Sequence, residues 1–313
     1  MDPTPVYAGI DVSKKELVVA VRPTGARWLA ANEPRSIDRL VRRLRGLAPA
    51  LVVLEATGCY HQAVARALAR AGLPVAVMNP KQIRAFARAT GRLAKTDSID
   101  ADMLAWYGET LHPEPRPLRG EADEELHGLV ARRRQLVGMR VAERNRLESA
   151  PPDVRRRIRA HLTWLGHEID AYNERIAQWL QEHRSEQMEQ LVSVPGVGVQ
   201  TAAVLAAELP ELGQLNRQEI AALAGVAPLN NDSGKHRGRR STWGGRAAAR
   251  SALYMAALTA ARCNPDIRAT YQRLREAGKP TKVAQVACMR KLLVTLNTLS
   301  RENRSWQPHA AAA

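Results

Sequence analysis

Four carboxylates, in three separate parts of the chain, have the residue types and positions that could hold divalent cations. Asp97 and Asp100 are three residues apart at the start of a helical pattern, which puts their Cβ atoms roughly 5–6 Å apart on one face. Asp11 and Glu55 each follow an apolar run that reads as a strand. Oxygen ligands favour Mg²⁺ or Mn²⁺ over Zn²⁺, and a pair of such ions clamps the attacking and leaving oxygens of a phosphodiester.

Each of these carboxylates also has an ordinary structural explanation. Asp at a helix start complements the helix dipole, and Asp11 alone could be a turn residue. Glu55 is the most informative, because a carboxylate directly after LVVL must be half-buried or face a cleft. Taken together in this strand context, the four favour a functional site. Asp102 is a further carboxylate nearby, and its spacing predicts that it points away from the face of Asp97 and Asp100.

A second group of reactive residues surrounds Ser233. This serine lies in a glycine-flanked loop at the leading edge of the most basic stretch, and no acidic residue occurs from Gly234 to Asn264. A serine there could attack a phosphate and form a covalent phosphoserine, or it could merely cap a turn, as Asp-Ser-Gly often does. The predicted nucleic-acid contacts of this stretch are Lys235, Arg237, Arg239, Arg240, Arg246 and Arg250.

Composition narrows the class of partner. The 313 residues carry a formal charge of +16, which favours a polyanion, either nucleic acid or an anionic membrane surface. No apolar run is long enough to span a bilayer and no signal-peptide pattern is present, so we expect a cytosolic protein acting on nucleic acid. The three cysteines are scattered, and we expect reduced, mostly buried thiols. With one Phe in the chain, base stacking is not expected to dominate binding.

The elements that must position the carboxylates follow the order of a ribonuclease-H-like α/β domain. Three short strands predict an antiparallel meander, and helices then alternate with strands up to the paired-Asp helix. In that layout the first and fourth strands are neighbours at the centre of the sheet. Asp11 and Glu55 would then meet at the carboxyl ends of these strands, where open α/β sheets place their sites.

The rest of the chain is predicted to be helical. A Pro-rich break ends the predicted ribonuclease-H-like domain at residues 1–112, and residues 113–185 are predicted to form a helical hairpin with a heptad-like seam. That seam suits a coiled-coil dimer or packing within the hairpin alone. Residues 186–304 form a helical domain in which Pro-Gly-Val-Gly resembles a helix-hairpin-helix motif or is a plain turn. The tail, 305–313, is expected to be disordered.

These motifs together resemble one family, the insertion-sequence transposases with an N-terminal RuvC-like DEDD domain and a C-terminal serine transposase domain. They have been described as RNA-guided bridge recombinases. The matching pieces run from near residue 6 to about residue 300 in the family's order: YAGIDVSK, LEATGCY, KTDSIDADMLA, VPGVGVQTAAVL, LAGVAPLNNDSG and GGRAAARSALYMAAL.

The resemblance implies roles that spacing does not show. Asp11, Glu55, Asp97 and Asp100 would bind Mg²⁺ or Mn²⁺, and Ser233 would form a 5′-phosphoserine intermediate. A homodimer, held by the hairpin, would assemble into a homotetramer in which protomers share active sites. The partners would be donor and target double-stranded DNA and a non-coding bridge RNA. Ser241 is a second candidate serine, but glycine flanking and family position favour Ser233.

Two other classes of function stay open on the sequence. A structure-specific or Holliday-junction nuclease would use the four carboxylates to activate water, with a passive Ser233. A basic architectural or RNA-binding protein would keep the fold without catalysis. The transposase interpretation accounts for both the carboxylates and the serine.

Overall fold

The fold is described from a computed structural model. It describes residues 4–56, 58–92, 97–115, 120–230, 232–233, 236–238 and 240–308, without the side chains of residues 97, 98, 121, 233, 236 and 237. The chain forms two compact units, Met1–Leu118 and Arg119–Ala313. The predicted nucleic-acid contacts Lys235 and Arg239, and the end of the predicted tail, lie outside the described residues.

The first unit is built on a five-stranded sheet with the order β3-β2-β1-β4-β5. Its strands are β1 (Tyr7–Val12), β2 (Glu16–Arg22), β3 (Arg27–Ala31), β4 (Leu51–Glu55) and β5 (Val75–Met78). The first three form the antiparallel meander expected from their short connections, while β4 pairs in parallel with both β1 and β5. The predicted neighbourhood of the first and fourth strands is confirmed, and the strand order is that of the ribonuclease-H-like layout.

Helices cover both faces of this sheet. They are α1 (Pro34–Leu47), α2 (Gln62–Arg70), α3 (Pro80–Ala89) and α4 (Asp97–Leu111). One apolar cluster joins alternate strand residues such as Ile10 and Leu54 to α1 and α2, and the other joins Tyr7 and Val53 to α3 and α4. Strand side chains alternate between faces, so each central strand contributes to both clusters.

The second unit is mainly helical. Its helices are α5 (Glu121–Ser149), α6 (Pro152–Val192), α7 (Val199–Glu208), α8 (Arg217–Leu223), α9 (Ala247–Cys263), α10 (Pro265–Glu276) and α11 (Thr281–Glu302). Two short antiparallel strands, β6 (Asp232–Ser233) and β7 (His236–Arg237), form a small hairpin between α8 and α9.

The first two of these helices pack as an antiparallel pair. Trp179 Nε1 donates to Glu125 at 3.2 Å, and further along the pair Arg133 Nε donates to Asn173 at 2.5 Å. The contacting residue numbers rise along α5 while they fall along α6, so the two helices are antiparallel. This arrangement is the helical hairpin that the sequence predicts. Self-association through this seam stays a prediction.

The predicted boundary at residue 185 lies beside a kink in α6. Arg184 has non-helical backbone angles there, between two helical segments of α6. A single apolar core contains residues of α5 and α6 together with residues of α7 to α11. The hairpin and the C-terminal helices therefore share an apolar core within the second unit, and a domain boundary at residue 185 stays a prediction.

The Pro-Gly-Val-Gly turn between α6 and α7 is explained by packing. Gly196 has φ of +99°, and a Cβ at that position would lie 2.6 Å from the backbone of Ala260 on α9. Only glycine permits both the left-handed conformation and this close approach. The helix-hairpin-helix interpretation is thus not needed to account for this glycine.

The three cysteines differ in their exposure to solvent. Cys59 and Cys263 are exposed and Cys288 is buried, so the expectation of mostly buried thiols was wrong. None of the described helices is both long enough and apolar enough to span a bilayer.

Candidate functional site

The two upstream carboxylates are positioned by the central strand pair. Ile10 of β1 lies opposite Leu54 of β4 in the parallel register, so Asp11 and Glu55 come one residue later on both strands. Because side chains alternate, both carboxylates point to the face opposite Ile10 and Leu54, which is the face covered by α4. The predicted convergence of Asp11 and Glu55 at the strand ends is therefore built into the register.

The third carboxylate reaches this place because α4 lies directly on β1. A Cβ added to Gly9 would stand 2.2 Å from the carbonyl oxygen of Ala101 and 2.3 Å from the backbone nitrogen of Ala105. Glycine inside a strand commonly marks such a close approach. Gly9 is two residues before Asp11 on the same face, and Ala101 is next to Asp100, so this crossing sets the position of Asp100.

Asp11, Glu55 and Asp100 line one cavity of about 310 Å³. All three are half-buried. The cavity is formed by elements of the first unit, and its polar lining also includes Lys14 and Tyr60. Arg84, on α3, also lines this cavity. Acidic and basic groups around one opening suit a ligand that carries both phosphate and bound cations.

Asp102 is turned away from this cavity. Its carboxylate forms an ion pair with Arg27 of β3, in which Arg27 Nε donates at 3.2 Å. Asp102 is not among the residues that line the cavity. The prediction that it points away from Asp100 is confirmed.

The donor chemistry of the cavity fits a magnesium-type ion, since its acidic ligands are all oxygen donors. Within the described part of the chain, however, no three His, Cys, Asp or Glu side chains are gathered closely enough to hold a metal. Helix α4 begins at Asp97 as predicted, but the side chain of Asp97 lies outside the description. Convergence of all four carboxylates on one ion therefore stays a prediction.

Ser233 lies at the end of β6 in the small hairpin. Its backbone pairs with His236, and Asp232 pairs with Arg237. Four residues of the predicted loop thus belong to short strands. The candidate Ser241 lies nearer the base of this hairpin, where its carbonyl oxygen accepts from the amide of Leu229 at 2.9 Å.

The arginines predicted to contact nucleic acid differ in whether their side chains already bond to other groups of the protein. Arg240 is exposed. Arg246 instead reaches Glu211 through two hydrogen bonds of 2.5 and 2.7 Å and also donates to the carbonyl oxygen of Glu208 at 2.6 Å. Arg250 donates to the carbonyl oxygen of Gly244. The arginines after the hairpin therefore stabilise the local fold as well as adding positive charge.

Three residues of the site region were not singled out from the sequence. Gly9 interrupts the apolar VYAGI strand pattern, and a glycine inside a strand indicates a close approach of another backbone. Arg84 and Tyr60 line the cavity from segments whose sequence has no special spacing, so only the tertiary structure reveals them.

Comparison with known proteins gives two matches to transposase families. A model described as Transposase (DEDD_Tnp_IS110) matches residues 8–150, and a model described as Transposase IS116/IS110/IS902 family matches residues 188–272. The first match includes the whole carboxylate cavity, and the second includes Ser233 and the basic stretch.

Individual relatives agree with these matches. A pilin gene-inverting protein of Moraxella bovis is 28% identical over 81% of this chain and 80% of its own length. An uncharacterized 42 kDa protein of insertion element IS900, from Mycobacterium paratuberculosis, is 26% identical over 100% of the chain and 70% of its own length.

One solved structure is similar in part. T. thermophilus RuvC, solved with a Holliday junction substrate, covers 36% of this chain and 100% of its own chain, with 18% identity and a TM-score of 0.30. A score that low carries no weight for the fold, which rests on the observed strand order.

Proposed function

The chain belongs to the IS110 family of transposases, and from that premise we propose that it cuts and exchanges DNA strands through a covalent 5′-phosphoserine intermediate. The observation that supports a catalytic role most directly is the single cavity lined by Asp11, Glu55 and Asp100. Half-buried carboxylates that a central strand pair and a helix bring to one opening are typical of a site that binds a charged ligand.

In this proposal Asp11, Glu55, Asp97 and Asp100 hold Mg²⁺ or Mn²⁺. A divalent cation bound there would supply electrostatic stabilisation of the negative charge that develops on a phosphate. Lys14 and Arg84, at the same cavity, would orient the DNA backbone through its phosphate oxygens. The carboxylates would also help to accept the proton of an attacking hydroxyl.

Ser233 would be the nucleophile. Its Oγ forms a bond to the phosphorus while the bond to the 3′ oxygen breaks, which leaves a 3′ hydroxyl on one strand and a phosphoserine on the other. A 3′ hydroxyl from the partner DNA then attacks the phosphoserine, and Ser233 regains its proton. The bond count is unchanged at each step, so strand exchange needs no external energy source.

The proposed assembly follows the family resemblance. A homodimer, joined through the α5–α6 hairpin, would form a homotetramer in which the carboxylates of one protomer act with the serine of another. A bridge RNA would pair with donor and target DNA and thereby choose the sequences. A relative named for inverting a pilin gene favours exchange of DNA segments over simple cutting.

The experiment is to trap the covalent adduct. The purified protein, with any RNA that accompanies it, is incubated with Mg²⁺ and labelled DNA that carries the ends of its own element, then denatured. We expect a labelled protein–DNA adduct that Ser233→Ala abolishes and that Ser241→Ala, the matched control in the same hairpin, retains. An adduct that persists in Ser233→Ala would contradict the proposed nucleophile.

A second candidate function is a structure-specific nuclease that uses water as its nucleophile. The observation that favours it is that the carboxylate cavity is lined entirely by residues of the first unit. Under this alternative Ser233→Ala cuts DNA at the normal rate and no adduct accumulates, whereas Asp11→Ala stops cutting. The same set of variants therefore separates the two functions.

A further inference from the structure

Trp243 has an indole ring that the fold leaves in solvent. It is 73% exposed, and no large hydrophobic side chain among the described residues is more exposed. Other tryptophans have ring partners: the Arg43 guanidinium lies 3.9 Å from the ring centre of Trp28, and Trp179 stacks on His183. Removal of an indole from water is favourable, so Trp243 offers apolar surface that would strengthen binding of a partner that covers it.

The backbone on both sides of Trp243 is held in place. On one side, Ser241 is bridged to Leu229. On the other side, Gly245 has φ of +64°, and a Cβ there would lie 2.2 Å from the nitrogen of Gly225. Close backbone packing of this kind fixes the turn that carries the indole.

Side chains after the turn strengthen this support. Arg246 is anchored to Glu211 by its two-pronged ion pair, and its amide donates to the carbonyl oxygen of Leu223 at 2.9 Å. Arg250 donates to the carbonyl oxygen of Gly244. Trp243 is thus carried on a fixed turn, so the backbone there loses little conformational entropy when the indole binds a partner.

The charge around the turn indicates the nature of the partner. No acidic residue occurs from Gly234 to Asn264, and Arg240, three residues before Trp243, is exposed. A partner that covers an indole and lies beside an exposed arginine in a basic stretch must offer both a flat apolar face and negative charge. A nucleic acid strand offers both, because its bases stack on aromatic rings and its phosphates bind arginine.

We propose that Trp243 stacks on an unpaired DNA base next to the strand that the Ser233 hairpin engages. The base must be unpaired, because both faces of a base inside a duplex are already stacked. Cutting and exchange of strands expose such bases. The choice of DNA as the partner rests on the proposed function, whereas the stacking itself rests on the exposure and support of Trp243.

The test measures binding of labelled single-stranded oligo-dT to the full chain at several salt concentrations. We expect Trp243→Ala to weaken binding about 10- to 100-fold, and Trp243→Phe to restore much of it. The slope of log affinity against log salt stays unchanged, because no cation is lost. Two control variants are matched to this design. Trp164→Ala removes an exposed tryptophan of α6 and should leave oligo-dT binding unchanged. Arg240→Ala removes a cation and should reduce the slope of log affinity against log salt by about 1.

Fluorescence gives an independent reading of the same contact. Oligo-dT should quench tryptophan emission of the unaltered chain, and Trp243→Phe should remove most of that change while binding persists. Equal oligo-dT affinities for the unaltered chain and Trp243→Ala would overturn the proposal, as would an absence of quenching. A dependence on Trp243 seen with oligo-U and not with oligo-dT would overturn the assignment to DNA.

Failure of this inference can be told apart from failure of the proposed function. A chain that forms the Ser233 adduct, while Trp243→Ala binds oligo-dT normally, refutes only the stacking. A chain that never cuts DNA, while Trp243→Ala loses oligo-dT binding, refutes the recombinase and retains the stacking. Circular dichroism of each variant shows that the fold is intact, as expected for a substitution at a side chain that is 73% exposed.

Discussion

Gly9 lies directly against Ala101, so closely that a Cβ on Gly9 would stand 2.2 Å from the carbonyl oxygen of Ala101. This contact joins the central strand β1 to helix α4. Asp11 lies two residues beyond Gly9 on the strand, and Asp100 lies one residue before Ala101 on the helix. Both carboxylates therefore line the same cavity. The hydrogen atom that serves as the side chain of Gly9 therefore determines how near these two carboxylates come.

Replacement of Gly9 by alanine should separate the helix from the strand. We expect Gly9→Ala to lower the free energy of unfolding by about 1–3 kcal/mol, because the helix backbone cannot yield as a side chain would. DNA cutting should fall as well. The matched control is Gly46→Ala in α1, where nothing lies within 4 Å of an added Cβ, and we expect it to be neutral or stabilising by up to about 1 kcal/mol. Urea unfolding of both variants checks this, and equal stabilities would contradict the crossing.

Asp100 and Asp102, two residues apart on α4, should behave differently. Asp100→Asn removes a carboxylate from the cavity, and we expect cutting to fall on the order of 10²–10³-fold. Asp102→Asn only weakens the ion pair with Arg27, whose side chain is 55% exposed, so it should cost less than about 1 kcal/mol and leave cutting intact. Rates of DNA cutting against Mg²⁺ concentration measure the difference. Equal losses in both variants would show that the cavity is not the reactive site.

The two arginines Arg246 and Arg240 should separate stability from DNA binding. Arg246 and Glu211 form a two-pronged pair whose side chains are only 26% and 25% exposed, so Arg246→Ala should destabilise the fold by about 1–3 kcal/mol. Arg240 is exposed, and Arg240→Ala should leave stability unchanged while it lowers the salt dependence of DNA binding. Thermal unfolding and binding at several salt concentrations check both expectations; a stable Arg246→Ala variant would contradict the first.

Cys288 should react with thiol reagents far more slowly than the other two cysteines. Burial raises the pKa of the Cys288 thiol, and nearby Lys291 opposes this only in part. Because the thiolate is the reactive form, a raised pKa and a buried sulfur both slow the reaction at pH 8. Titration with a chromogenic disulfide should show two fast thiols, Cys59 and Cys263, and a third that reacts only on unfolding. Three fast thiols in the folded chain would contradict this packing.

Much of the first unit follows from local sequence pattern. Strand runs that end in Asp11 and Glu55, and the Asn79-Pro80 start of α3, are short-range signals that local physics can interpret. The family motifs then supply the order of the strands. By contrast, the shared core of the second unit could not be predicted from pattern alone, because it joins residues as far apart in the chain as Leu126 and Leu299.

The sequence by itself determined which groups are available for chemistry: the oxygen ligands, the serine, the positive charge and the strand ends that carry Asp11 and Glu55. The tertiary structure alone decided where the side chains of these groups lie and which partners they contact. It turned Asp102 toward Arg27, bound Arg246 to Glu211, brought Arg84 to the cavity and left Trp243 in solvent. The reason is that these outcomes depend on contacts between residues tens of positions apart or on the absence of such contacts, whereas sequence pattern reports mainly on neighbours within a few residues.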